Sequence, residues 1–162
     1  MDEDKELLHQ IAEQEEELQF PSFSNETALQ VGLALLQAAQ HKTRPVTIDI
    51  MRNGQQLFHY AMSGTAADND ESIRCKNNVV NRFGHSSLYI GTALKDSGTT
   101  IEEKYLISSQ EYAAHAGAFP LIVRGTGVIG TITVSGLPQH EDHDLVVSTL
   151  RTLLGKHRST TD

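Results

Sequence analysis

Tryptophan is absent from this 162-residue chain, and Cys75 is its one cysteine. A lone thiol rules out an internal disulfide, and a chain of this length buries enough apolar surface to fold without one. No Lys/Arg cluster is present, so the basic surface that phosphate backbones require is missing and nucleic acid is not expected as a partner. Long apolar runs are missing too. The richest stretch, residues 28–39, is too short for a bilayer and is interrupted by Gln30 and Gln37, so no membrane partner is expected. With no apolar leader before the first predicted helix, the expected location is the cytoplasm. Phosphate loop, dinucleotide fingerprint and nucleophile elbow are likewise absent.

Acidic residues are present in excess, and unevenly. The net charge is −8, and residues 1–30 hold nine of the 21 acids but a single base, Lys5. Residues 2–17 read as an acidic amphipathic helix with a narrow stripe of Leu7, Leu8 and Ile11, its acids solvated or, on a second reading, docking a basic partner. Ser24 is positioned to cap a helix over residues 25–41 whose apolar residues cover most of its circumference. Such a helix is a central packing element or a subunit contact.

Two hairpins are predicted. Residues 46–51 and 55–62 flank Asn53-Gly54, the strongest short-range turn signal in the chain. A flush two-residue loop pairs Ile50 with Leu57 and Ile48 with His59 on one face, Asp49 with Phe58 and Thr47 with Tyr60 on the other. Residues 119–123 and 128–135, apolar on both faces, form the second hairpin around Gly125-Thr126-Gly127. A short strand is expected near residues 18–20, helices over 69–83 and 86–95 broken near Gly84, a short helix after Ser109, and a last helix over 139–154. Together these give a single α+β domain over residues 1–162, with about five antiparallel strands and flanking helices.

The run Arg82-Phe83-Gly84-His85-Ser86-Ser87 is distinctive. With Ala67-Asp68-Asn69-Asp70 upstream and Val134-Ser135-Gly136-Leu137-Pro138 before Glu141-Asp142-His143, it resembles the GlcG-like, or "haem-degrading", superfamily, in its uncharacterised cytosolic branch carrying the RFGHSS motif. The resemblance implies a profilin-like fold with a five-stranded sheet. It also implies homo-oligomers built from dimers, and haem as a cofactor in some members.

The leading site expectation is a pocket for a small anionic ligand at Arg82, His85, Ser86 and Ser87. There Gly84 turns the chain and the start of a helix presents amide hydrogens. The alternative is that Ser86 caps, His85 bonds a carbonyl and Arg82 pairs with Asp68 or Asp70. Asp68 and Asn69 are cap candidates or extend the pocket, with Arg74 adding a loose basic patch. Ser135-Gly136 is a second anion cradle. His140 and His143 are neighbours on a helix and could ligate a metal, but no third ligand is evident. His59 reads as a core or interface histidine, His115 as a pocket-lining one. Cys75, beside Arg74 and Lys76, would have a lowered pKa if exposed. The chain is accordingly read as an oligomeric binding module, with two alternatives: an acid/base enzyme using His85, or an assembly or adaptor protein.

Overall fold

The computed structural model describes residues 2–161. In chain order the elements are α1 (Asp2–Glu17), α2 (Asn25–Ala39), β1 (Thr47–Arg52), β2 (Gln55–Ala61), α3 (Ala67–Phe83), α4 (Ser87–Asp96), α5 (Ile101–Tyr105), β3 (Ala118–Val123), β4 (Gly127–Ser135) and α6 (Glu141–Thr161). The strands form one antiparallel sheet in the order β2-β1-β4-β3. Helices α2 and α6 cover one face and α3 the other, while α4 flanks α3 and carries α1 on its outer side.

The sheet has four strands, not the five anticipated. The missing strand survives as one parallel bridge between Phe20 and Val123. Phe20 donates its N–H to the Ile122 carbonyl and accepts from the Arg124 N–H, both at 2.8 Å. Pro21 cannot donate to a ladder, and Ser24 already caps α2, so the pairing has no residues in which to extend.

Alternation along β1 and β4 sorts the side chains. Ile48, Ile50, Ile132 and Val134 turn to the α2/α6 face and pack with Phe119, Leu121, Val31, Leu35, Leu145 and Leu150, all at most 2 % exposed. Each such side chain contributes roughly 1.5–3 kcal/mol of burial. The α3 face of the same strands is polar: Thr47, Asp49, Thr131, Thr133 and Ser135. The expectation that β4 is apolar on both faces is thus corrected.

The Asn53-Gly54 loop forms, with both residues at positive φ and Arg52 opposite Gln55. Between Ile50 and Met51 the register then slips by one residue, leaving Leu57 as the bulged position. The pairs become Ile50–Phe58, Asp49–His59, Ile48–Tyr60 and Thr47–Ala61, replacing every pair the flush register predicts on this stretch. A slip of one residue changes the face of each side chain beyond it. His59 therefore leaves the apolar face and stands beside Asp49.

Helix α3 starts two residues early. Its N-cap is Ala66 rather than Asp68 or Asn69, and Asn69 bonds back, its Oδ1 accepting the Ala66 N–H at 3.0 Å. No helix follows Ser109; the chain turns there instead, and the helical turn is α5, capped by Thr100.

Candidate functional site

The start of α4 is where the sequence places the leading site. The Ser86 hydroxyl accepts the Tyr89 N–H at 3.0 Å and is fully buried. Ser87, also buried, receives the Ala118 N–H on its hydroxyl at 3.0 Å. The Ser86 N–H donates to Glu15 Oε2 at 3.0 Å, and His85 Nδ1 lies 2.7 Å from Glu15 Oε1. An acid of α1 thus occupies the place an external anion would take. Glu15 is 8 % exposed, so the helix expected to keep its acids in solvent buries this one. His85 stacks on Tyr89 with ring centroids 4.2 Å apart, and its side chain is 42 % exposed. Arg82 lies over the Phe83 and Tyr112 rings and pairs with neither Asp68 nor Asp70.

A second polar constellation sits on the α3 face, where the β2 bulge has turned His59. Its Nδ1 is 3.0 Å from Asp49 Oδ1 and its Nε2 3.0 Å from Asp70 Oδ1. The Asp49 side chain is 3 % exposed and accepts two further hydrogen bonds, from Gln56 Nε2 at 2.7 Å and Asn77 Nδ2 at 3.3 Å. Asn77 is oriented in turn by the Thr133 hydroxyl, which donates to its Oδ1 at 2.5 Å. Both ring nitrogens of His59 meet carboxylate oxygens, an arrangement matched donor to acceptor when the ring carries two protons. These groups line an open groove of about 290 Å³ between β1–β2 and α3, with Met51 and Ile73 among its apolar lining and Asn78 and Asn81 also along it. Sequence reasoning missed Asp49, Gln56, Asp70 and Asn77 as a group. The available signal was an acid between Ile48 and Ile50, because a carboxylate inside an apolar strand requires partners.

Other candidates are tied into the frame. Arg74 forms ion pairs with Glu71 at 2.6 Å and Glu111 at 2.8 Å. Asn69 reaches Ser135 Oγ at 3.3 Å, while Gly136 and Leu137 donate their N–H groups to Asp142. The Ser135-Gly136 cradle thus receives an internal carboxylate. Lys76, 3 % exposed, donates to the Ala116 and Val134 carbonyls at 3.0 Å each and sits 3.5 Å from Asp142. Burial pushes the Lys76 ammonium below and the Asp142 carboxyl above their ordinary values, each opposed by the other's charge. Cys75 is buried and bonds the Gln110 carbonyl; burial pushes its thiol up, the reverse of the shift predicted for an exposed one. His143 is buried with Nε2 on Gln14 at 2.8 Å, whereas His140 and His115 are exposed. Among the described residues, no three His, Cys, Asp or Glu side chains are grouped to hold a metal ion. Nor is any described helix long and apolar enough to cross a membrane.

Residues 23–151 match the model of a family described as haem degrading protein HbpS-like. A UPF0303 protein of Streptomyces coelicolor is 47% identical over 147 residues, covering 91% of this chain and 93% of that protein. The chain belongs to the HbpS-like family. The GlcG-like resemblance read from the motifs is thereby confirmed. Among solved structures, the Ybr137w protein matches with a TM-score of 0.86 at 35% identity, over 93% of this chain and 88% of that one. A PduOC:haem complex matches with a TM-score of 0.67 at 18% identity, over 80% of this chain and 93% of that one, a likeness of fold.

The HbpS-like family name brings haem into question. A histidine that ligates haem needs a free ring nitrogen opening into an apolar slot. His59 gives both nitrogens to carboxylates, and His143 is sealed. His41 borders a groove of about 400 Å³ between α2 and α6, but Gln37, Ser148, Thr149 and Thr152 share its lining. His115 and His140 border one of about 300 Å³ with Asp4, Thr92, Lys95 and Gln139. His85 has its stacked ring half in solvent. The residues of one HbpS-like chain therefore do not fit a haem at any of these imidazoles.

Proposed function

We propose that this HbpS-like protein is a binding module for a small, uncharged polar ligand, held in the groove between β1–β2 and α3. One observation carries this reading. A buried carboxylate, Asp49, fixes an imidazole at an open groove, although burying a charge costs free energy that packing alone does not require. The two aspartates disfavour an anion there, and Arg74 is already neutralised by Glu71 and Glu111.

The small anionic ligand expected at Arg82, His85, Ser86 and Ser87 is the second reading. It is favoured by Arg82, which has no carboxylate partner among the described residues, and opposed by Glu15 on the α4 amides. Ligand-observed NMR with two panels, neutral polyols and hydroxy ketones against carboxylates and phosphates, separates the readings. Binding of the neutral panel lost in His59→Ala but kept in His85→Ala supports the groove. The converse pattern moves the site to α4, and no binding of either panel removes both.

Assembly as a homo-oligomer is proposed with it. Leu29 and Leu33 on α2 and Tyr60 on the outermost strand β2 are 47–51 % exposed, beside a free strand edge that a second copy can pair antiparallel. Light scattering on wild type and Leu33→Glu checks this; a monomeric wild type sinks it.

A further inference from the structure

The groove holds the parts of a proton-transfer site, and we infer that His59 moves a proton to and from a neutral, hydroxyl-bearing carbonyl compound, with Asp49 as its positioning residue. The inference rests on the groove being the ligand site. Three features carry it. Asp49 is locked by Gln56 and Asn77, and Asn77 by Thr133, so the Nδ1 side of the ring is fixed by four groups on four elements. The Nε2 side points to Asp70, whose side chain is 50 % exposed and belongs to the first turn of α3. Among the described residues, no hydroxyl, thiol or amine side chain lines the groove, so it offers a base without a nucleophile of those kinds.

Asp70 is the exchange point with solvent. It accepts the proton of Nε2–H, turns outward and passes it to water, which leaves the Nε2 lone pair directed into the groove. His59 then takes a proton from the carbon next to the substrate's carbonyl. The C–H electron pair becomes a carbon–carbon double bond as the carbonyl π pair moves onto oxygen. Asn81, whose amide has no partner among the described residues, borders the same groove. Return of a solvent-derived proton from Nε2 to the same carbon closes the cycle. The net change is exchange of C–H for solvent hydrogen, and no co-reactant is consumed. Substrate class follows from the lining: amide and carboxylate groups of Gln56, Asn78, Asn81 and Asp70 match hydroxyls, and the two aspartates disfavour anions.

The test uses the full-length protein in D2O with hydroxyacetone and dihydroxyacetone, following loss of the carbon-bound proton signal by 1H NMR. Wild type should exceed buffer by about 100-fold or more, and His59→Ala should fall to the buffer rate. In Asp49→Asn the amide presents N–H to Nδ1 and favours the wrong tautomer, so the exchange rate should fall and its pH profile shift. Gln56→Ala, which leaves Asp49 and His59 in place, should shift the same profile less and guards against misfolding of Asp49→Asn. Exchange that persists in His59→Ala, or a pH profile unmoved in both variants, overturns the inference. Binding of the probes without exchange overturns it while leaving the groove as a binding site; absence of binding overturns both.

Discussion

Two buried charged or polar side chains set how single residues respond to pH and substitution. Burial, aided by nearby His140, holds the His143 imidazole down at about 4 from an ordinary 6.5. Between those values the unfolded chain binds a proton that the folded chain refuses, so stability falls as pH drops through this window. The full loss is about 3 kcal/mol, reached below pH 4. Urea unfolding at pH 7 and pH 4 should show wild type losing about that much more than His143→Gln, whose amide can still donate to Gln14. Lys76 gives the second prediction. Lys76→Met strands Asp142 and two carbonyls in the interior, at a cost of about 3–5 kcal/mol in urea. Adding Asp142→Asn should cost less than the sum of the single changes, because the stranded charge is gone.

Packing between elements admits sharper tests. The Phe58 ring lies directly against Gly32 of α2, and a Cβ there would strike the ring. Gly32→Ala should lower the melting temperature by an amount equivalent to about 1–3 kcal/mol, since the core must shift to admit the methyl. Sequence periodicity was enough for helix α2, the capping by Ser24, both hairpins and α6 as far as residue 154, because local propensity and burial agree there. It failed at β2, where alternation alone cannot reveal a bulge; the one-residue slip brings Phe58 opposite Ile50 and against Gly32 of α2, a tertiary contact. The site was misread for the same reason. His85 and Ser86 stood out as a motif, but their partner Glu15 lies 70 residues away from His85, on a helix whose acids the pattern reads as solvated. His59 was legible as a histidine among apolar residues, and only the true register shows it beside Asp49.

At the scale of the molecule, the acidic excess of the first thirty residues resolves into a docked element. Helix α1 precedes the segment that the HbpS-like family model matches, yet buries Ile11 completely against Leu88 and Ala116 and bonds α4 through Glu15 and α6 through Gln14. Glu15→Gln should cost about 1–3 kcal/mol in chemical denaturation, because the buried carboxylate accepts from both an imidazole and an amide. A stability unchanged within error would show that the Glu15 bonds to α4 contribute nothing net to holding α1.

That same contact makes the start of α4 a receptor with its ligand already tethered. A carboxylate carried on the chain competes at an effective concentration of about millimolar or above, so a dilute free anion loses to Glu15 whatever its intrinsic fit. Any solute that does win there must displace the Glu15 carboxylate from the His85 ring and the Ser86 N–H together, while Ile11 and Gln14 still hold α1.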